Sequence, residues 1–138
     1  MRAFLALNLD RAFIDWLWNA IQTHRTGSKA PIRWTTKQNL HITVKFLGEI
    51  NQEIYKNLRS DLEQIGELKL PPMKAKDIGF FPGNKNPRIY KMEFAAEPDL
   101  LNLQHHIEGI AEINKIAQEL KPFRPHLTLG RIKSPLTD

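Results

Sequence analysis

The sequence predicts an α+β protein of two similar lobes, and three observations support this class. A strand, a helix, a connection and a strand bearing a His-x-Thr motif follow one another in this order, and the order occurs twice. The spacing is nearly equal, with 38 residues from Ala3 to His41 and 36 from Tyr90 to His126. At 138 residues the chain is expected to form one domain, residues 1–138, in which a pseudo-two-fold axis relates the lobes.

Apolar periodicity and turn residues place the individual elements. In chain order we first predict a strand over 2–8, a helix over 11–24 that follows Asp10 and stops at Gly27, an extended piece over 31–34 and a strand over 39–47 closed by Gly48. Next we predict a helix capped by Asn51 and stopped by Gly66, an extended segment over 68–82 and a turn over 82–87. The last predicted elements are a strand over 88–95, a helix over 98–120 and a final strand that starts at His126. The predicted buried face of the 98–120 helix is formed by Leu100, Leu103, Ile107, Ile110 and Ala117.

Composition narrows the classes of function. The chain has no cysteine, which excludes disulfides, thiol nucleophiles and cysteine-bound metals. No run approaches the roughly 18 apolar residues of a membrane span, so no membrane partner and a cytoplasmic location are expected. The net charge is +5. This charge fits either a solvated basic surface or attraction of an anionic partner such as RNA, and charge alone does not choose between them.

The two His-x-Thr motifs carry the chemistry. They lie in the apolar runs NLHITVKFLGE and HLTLGR, which are typical of strands. Because side chains alternate across a strand, His41 and Thr43 should share one face, and so should His126 and Thr128. Ile42 and Val44, or Leu127 and Leu129, would then occupy the opposite, apolar faces.

Two histidines facing one another beside two hydroxyls suit acid and base catalysis on a phosphate. Near neutral pH one imidazole can accept a proton while the other donates one. A single His-x-Thr in a strand is usually structural, but two copies in equivalent positions favour catalysis. No metal-ligand motif and no glycine-rich phosphate loop occur in the sequence.

The sequence resembles a known family over residues 1 to about 133. The resemblance is carried by NLHITVKFLGE, HLTLGR, the opening MRAFLAL and the middle segment IGFFPGNKNPR. These segments are similar to the RNA 2′,3′-cyclic phosphodiesterases, also called the 2′-5′ RNA ligase family, of the two-histidine (2H) phosphoesterase superfamily. The resemblance implies two lobes, each an antiparallel sheet with helices on its outer face, and an active-site cleft between them. It also implies hydrolysis of RNA 2′,3′-cyclic phosphate ends to 2′-phosphates, a related 2′-5′ ligation, and no metal or other cofactor.

Roles for individual residues follow from the resemblance. It implies that His41 is the general acid for the leaving 3′ oxygen and that His126 is the general base for water. Thr43, Thr128 and Arg131 would bind the phosphate. Phe46 would stack on the terminal base.

Strict alternation along the strands favours a different set of cations. It puts Lys45 with His41 and Arg124 with His126, so both are candidate phosphate contacts. It puts Phe46 and Arg131 on the opposite faces, and they can join the histidines only if a strand bulges or ends. Gly130 is a residue at which such a bulge is expected next to Arg131.

Two alternatives to the RNA-end enzyme remain open at this stage. One is a module of the same fold that binds a nucleotide or RNA end without turnover. The other is a 2H phosphoesterase that acts on small cyclic nucleotides. Relatives continue beyond the second motif, so we expect C-terminal strands to be missing, with a monomer or a strand-exchange dimer as the result.

Overall fold

The computed structural model describes residues 1–27, 32–66, 71–83, 85 and 87–132. The predicted α+β class is confirmed. The elements in chain order are β1 (Arg2–Leu7), α1 (Arg11–Gly27), β2 (Ile32–Trp34), a short 3-10 turn (Lys37–Asn39), β3 (Ile42–Glu49), α2 (Gln52–Ile65), β4 (Ala75–Phe81), β5 (Ile89–Phe94), α3 (Pro98–Ile113) and β6 (His126–Ile132). Parts of three predicted segments lie outside the described residues, namely 31, 68–70 and, in the predicted turn, 84 and 86.

The chain divides into two compact units, and each contains strands and helices. Unit 1 comprises 1–6, 43–74 and 95–125, and unit 2 comprises 7–42, 75–94 and 126–138. The predicted order of strand, helix, connection and motif strand is present twice, as β1–α1–β2–β3 and as β5–α3–β6. The chain passes repeatedly from one unit to the other, because α1 follows β1 but belongs to unit 2, whereas α3 follows β5 but belongs to unit 1.

Unit 1 is built on β1, its neighbour β3, and helices α2 and α3. Its core is the apolar cluster Ile50, Leu58, Ala111 and Ile116, against which Ala3, Leu47, Ile54, Leu62 and Ile110 pack. The chain start is tied to this unit, because the amino group of Met1 donates to the carbonyl of Ile50 at 2.8 Å.

Unit 2 contains an antiparallel arrangement of strands in the order β2–β6–β5–β4. The first residue of β3, Ile42, also lies in this unit and pairs with Leu127 of β6. Ile42 and Leu127 are both fully buried, as is nearly all of Met92 in β5. Of the apolar positions predicted to alternate with the motif residues, Ile42, Leu127 and Leu129 are therefore buried in unit 2, and Val44 is buried in unit 1.

Strand β6 has a bulge at Leu129. Lys91 of β5 pairs with Thr128, whereas the preceding residue, Tyr90, pairs with Gly130, so Leu129 has no partner in β5. The backbone of Leu129 instead accepts a hydrogen bond from the amide of Thr35 at 2.9 Å. A bulge shifts the alternation of a strand by one residue. Residues after Leu129 therefore change face relative to strict alternation.

The ends of helix α2 match the sequence prediction. The Asn51 side chain accepts a hydrogen bond from the Ile54 amide at 2.8 Å, which satisfies one of the amides left unpaired at a helix start. Gly66 ends the helix with a φ of 76°, a conformation that glycine adopts at little cost.

Helix α3 is shorter than predicted, because it ends at Ile113 rather than at residue 120. The Lys115 amide donates to Glu112 and the Ile116 amide to Ala111, with Lys115 at a φ of 65°. This is the hydrogen-bond pattern of a Schellman motif, with lysine in the position where glycine is usual. Ala117 is consequently exposed, and its place in the predicted buried face is wrong, while Leu100 and Ile107 of that face are buried.

A buried ion pair holds the segment after α3 in unit 1. Lys45 Nζ donates to both carboxylate oxygens of Glu108, at 3.0 and 2.9 Å, and to the Ala117 carbonyl at 2.9 Å. Glu108 Oε2 also accepts from the amide of Glu119 at 3.3 Å. The two charged side chains are only 3% and 4% exposed. Strand β3, helix α3 and the chain that leads to β6 are therefore joined through one pair.

We predict that Glu108→Ala destabilises the protein by about 3–5 kcal/mol, because it leaves the Lys45 charge buried without its partner. The measurement is the free energy of unfolding in urea. The control is Glu112→Ala, an exposed glutamate on the same helix, which should change it by less than about 0.5 kcal/mol. Equal stability of the two variants would contradict this account.

The close approach of β2 to β6 predicts a second stability effect, at Gly130. A Cβ atom at Gly130 would lie 2.5 Å from Ile32 Cγ2 and 3.2 Å from the Arg33 carbonyl oxygen. We expect Gly130→Ala to cost about 1–3 kcal/mol in unfolding free energy through this overpacking. Gly79→Ala is the matched control, since nothing lies within 4 Å of a Cβ there. A neutral Gly130→Ala would show that β2 can move away freely.

Candidate active site

His41 lies immediately before β3, at the end of the 3-10 turn. The strand was predicted to start at residue 39 and in fact starts at Ile42, because residues 37–39 form this turn. The Nδ1 atom of His41 is 2.6 Å from the carbonyl oxygen of Asn39. A carbonyl can only accept, so this contact places the proton on Nδ1.

Other contacts fix the turn that carries His41. The amide of Asn39 donates to the Thr36 carbonyl, and Asn39 Nδ2 donates to Thr36 Oγ1, both at 2.9 Å. Lys37 forms an ion pair with Asp15 of α1 at 2.6 Å. The hydrogen bond from Lys37, together with its positive charge, lowers the pKa of the Asp15 carboxyl below its ordinary value. The turn is therefore anchored to helix α1 of the same unit.

The pairing of Ile42 with Leu127 brings the two motifs onto adjacent strands. In an antiparallel pair, residues opposite one another point to the same face, and their neighbours point to the other. Since Ile42 and Leu127 point into the core, His41 and His126 flank them on the other face of unit 2. Both histidines are partly exposed, as is Thr128, so the face that they share is accessible.

Thr128 and Arg131 extend this face along β6. The bulge at Leu129 shifts the alternation, so Arg131 points to the same side of the sheet as His126 and Thr128. Ile89, Lys91 and Glu93 of β5 pair in order with Arg131, Thr128 and His126. The structure thus contains the bulge that Arg131 requires in order to lie with the histidines.

The hydroxyl of Thr35 also supports the bulged strand. Thr35 Oγ1 donates to the carbonyl of Thr128 at 2.9 Å. Behind the strand, on the core side, the ring of Trp34 packs edge-on against Tyr90 at a centroid distance of 6.0 Å. These contacts hold the backbone on which Thr128 and Arg131 stand.

Three charged residues on this face were not singled out from the sequence. Arg33 of β2 pairs with Arg131, Lys91 pairs with Thr128, and Glu93 pairs with His126. Lys91 and Glu93 are two residues apart in the predicted strand 88–95, so the sequence alone indicated that they share a face. Only the register between β5 and β6 shows that their face is the one with the motif residues.

The predicted phosphate contact at Lys45 is wrong. All three donors of its ammonium group are occupied by the two oxygens of Glu108 and the carbonyl of Ala117. The side chain is 3% exposed. Both Val44 and Lys45 are buried, so burial along β3 does not follow strict alternation.

The other predicted site residues lie in unit 1. Arg124 precedes Pro125 and the start of β6 at His126, so it lies outside that strand. Its side chain is exposed. Phe46 of β3 is 74% exposed, with its ring 6.3 Å from that of Phe4. Thr43 is two residues after His41 and half-buried, and it lies on the same side of β3 as His41 by alternation.

Two kinds of feature are absent from the ranges that the structure describes. Within them, no group of three or more histidine, cysteine or acidic side chains could hold a metal ion. Also within them, no helix has both the length and the apolar character needed to cross a membrane.

Comparison with known proteins gives a consistent result. The family model described as LigT like Phosphoesterase matches residues 10–90. The chain is 34% identical over 133 residues to a protein of Methanocaldococcus jannaschii named RNA 2′,3′-cyclic phosphodiesterase, a match that covers 96% of this chain and 72% of that one. It is 32% identical over 105 residues to a protein of the same name from Aquifex aeolicus, with 74% of this chain and 56% of that one covered.

The fold has counterparts among solved structures as well. The crystal structure of E. coli LigT complexed with 3′-AMP superposes with a TM-score of 0.70 at 25% identity. The superposition covers 99% of this chain and 76% of the E. coli protein. The chain therefore spans between about half and three quarters of the length of the proteins it matches. Since the family model matches more than half of its residues, this chain belongs to the LigT-like phosphoesterase family.

Proposed function

We propose that this protein hydrolyses RNA 2′,3′-cyclic phosphate ends to 2′-phosphates by metal-free catalysis with His41 and His126. The observation that supports this most directly is that His41, His126, Thr128 and Arg131 share one accessible face of unit 2. Two proton-transfer groups, a hydroxyl and a guanidinium on one surface suit a phosphodiester. The names of the curated relatives point to the same reaction.

In the proposed reaction His126 acts as the base and His41 as the acid. His126 removes a proton from water as the water oxygen attacks phosphorus. The bond from phosphorus to the 3′ oxygen breaks, and His41 donates a proton to that oxygen. The products are a 2′-phosphate and a 3′-hydroxyl. If an RNA 5′-hydroxyl replaces water, the same bond changes produce a 2′-5′ linkage, and we propose this ligation as a secondary, reversible reaction.

The contact of His41 with Asn39 supports the acid role. A carbonyl beside Nδ1 is satisfied only when that nitrogen carries a proton. The remaining nitrogen, Nε2, then gains and loses the proton that goes to the leaving group.

The remaining residues would hold the substrate. Thr43 and Thr128 would donate hydroxyl hydrogen bonds to the non-bridging phosphate oxygens, and Arg131 would bind them with its guanidinium, whose planar fork matches phosphate. Phe46 offers an exposed ring on which a terminal base could stack. The net charge of +5 favours RNA over neutral partners.

We expect His41→Ala and His126→Ala each to lower the rate by about 10²–10⁴-fold, because each removes one proton-transfer group. The assay is hydrolysis of an oligoribonucleotide that ends in a 2′,3′-cyclic phosphate, in excess chelator, with 2′- and 3′-phosphate products resolved. His106→Ala, an exposed histidine of α3, is the control. The double histidine variant should lose little more than either single one, since the pair acts as a unit.

Several outcomes would contradict the proposed function. A wild-type rate in either histidine variant would exclude the two-histidine mechanism. Loss of activity in chelator that added metal restores would show a metal-dependent reaction. Binding of the 2′-phosphate product without turnover would identify a binding module. Equal rates on a cyclic-phosphate dinucleotide and on a longer RNA would favour an enzyme for small cyclic nucleotides.

We expect Arg131→Met to lower kcat/KM by roughly 10–100-fold, because it removes a charged hydrogen-bond donor from the phosphate. Arg131→Lys should have a kcat/KM between those of wild type and Arg131→Met, because lysine keeps the positive charge but not the planar fork of donors. The matched control is Arg59→Met, an exposed arginine of α2 in the other unit. An unchanged kcat/KM in Arg131→Met would mean that this side chain does not bind the phosphate.

A further inference from the structure

Glu93 lies directly opposite His126 in the pairing of β5 with β6. Side chains opposite one another in an antiparallel pair have Cβ atoms about 4.5–5.5 Å apart and point to the same side. A glutamate carboxylate at that separation reaches the imidazole ring. We propose that Glu93 is a positioning residue for His126, which orients the ring and stabilises its protonated form. This inference rests on the proposed function in taking His126 as the base.

Lys91 keeps the Glu93 carboxylate in place. Lys91 Nζ is 3.0 Å from Glu93 Oε1, and the two side chains are 10% and 21% exposed. The ammonium group also lies 4.3 Å from the centroid of the Phe81 ring, a cation–π contact. The pair is largely shielded from solvent, and the strand register places both side chains on the side of the sheet that carries His126. A carboxylate has about four acceptor positions, which is enough for the Lys91 ammonium and an imidazole N–H together.

The arrangement matters at the moment of proton transfer. When His126 takes a proton from water it becomes a cation, and a nearby carboxylate stabilises that cation. A carboxylate that accepts one ring N–H also selects the tautomer in which the other nitrogen is the base. Lys91 opposes the first effect, since its own positive charge lies on the same face, opposite Thr128. Glu93 and Lys91 should therefore act on the protonated imidazole of His126 in opposite senses.

Other charged and titratable groups of the described residues also lie on this face. They are His41 beside β3, Arg131 further along β6, Arg33 of β2 opposite Arg131, and Asp77 of β4 opposite Glu93. Asp77 is exposed and is separated from His126 by the full width of β5. It is therefore a control of the same charge on the same face.

The test is the pH titration of the His126 imidazole by NMR, assigned by loss of its signal in His126→Ala. Relative to wild type, Glu93→Gln should lower the midpoint by about 0.5–1 pH unit, and Lys91→Gln should raise it. Asp77→Asn should shift it by less than about 0.2 unit, because solvent and ions screen the longer distance. An unchanged midpoint in Glu93→Gln, or shifts of the same sign in both variants, would overturn the proposal.

A second pair of variants tests the proposal if Glu93→Gln does not fold. Glu93→Gln leaves the Lys91 ammonium without its partner, which could destabilise the protein. If that variant does not fold, Lys91→Gln is compared with the double variant Lys91→Gln/Glu93→Gln, in which no charge is stranded. The double variant should titrate at lower pH than Lys91→Gln, and equal midpoints would overturn the proposal.

Kinetics separate this inference from the proposed function. On the cyclic-phosphate oligoribonucleotide, Glu93→Gln should lower kcat about 10-fold with little change in KM, and Glu93→Asp should restore part of the loss. A role for Glu93 in packing alone would not produce the opposite titration shifts. If the shifts appear as expected but the wild-type protein does not hydrolyse the substrate, the pairing of Glu93 with His126 stands and the proposed function fails.

Discussion

The pairing of Ile42 with Leu127 is the constraint on which the arrangement of the site depends. Both side chains are fully buried, and the pairing is antiparallel. Moving either strand by one residue would expose an isoleucine or leucine and bury an imidazole, since alternate side chains point to opposite faces. The free energy of burying apolar surface therefore holds the two histidines on one accessible face. The positions of both histidines therefore depend on the packing behind them.

The bulge at Leu129 adds a third group to that face at little cost in packing. Leu129 remains buried, and its carbonyl is satisfied by the amide of Thr35. Gly130 follows, where a side chain would meet Ile32. The strand therefore shifts its alternation by one residue while the Leu129 side chain stays buried and its carbonyl stays paired, and Arg131 points to the side of His126.

The two buried or half-buried lysine–glutamate ion pairs have different roles in this structure. Lys45 and Glu108 are far apart in sequence and fully buried, and they fasten the segment after α3. Lys91 and Glu93 are two residues apart on one strand, and they face the motif residues. The first pair supports the fold of unit 1, whereas the second provides charges beside His126.

Local patterns were enough to predict much of this protein. The two His-x-Thr motifs, the burial of the residues between them, and the ends of α2 at Asn51 and Gly66 all depend on neighbours within a few residues. The order of strands and helices follows from the same short-range periodicity. Interactions of this range are encoded in consecutive residues, so the sequence by itself determined them.

Only the tertiary structure decided the rest, because it depends on residues distant in the chain. The ion pair of Lys45 with Glu108 and the bulge that turns Arg131 both involve such partners. Glu93 could be seen to alternate with its neighbours, but its position opposite His126 is a matter of register between strands. Register is selected by the burial of whole strand faces, a property of the assembled sheet rather than of any single segment.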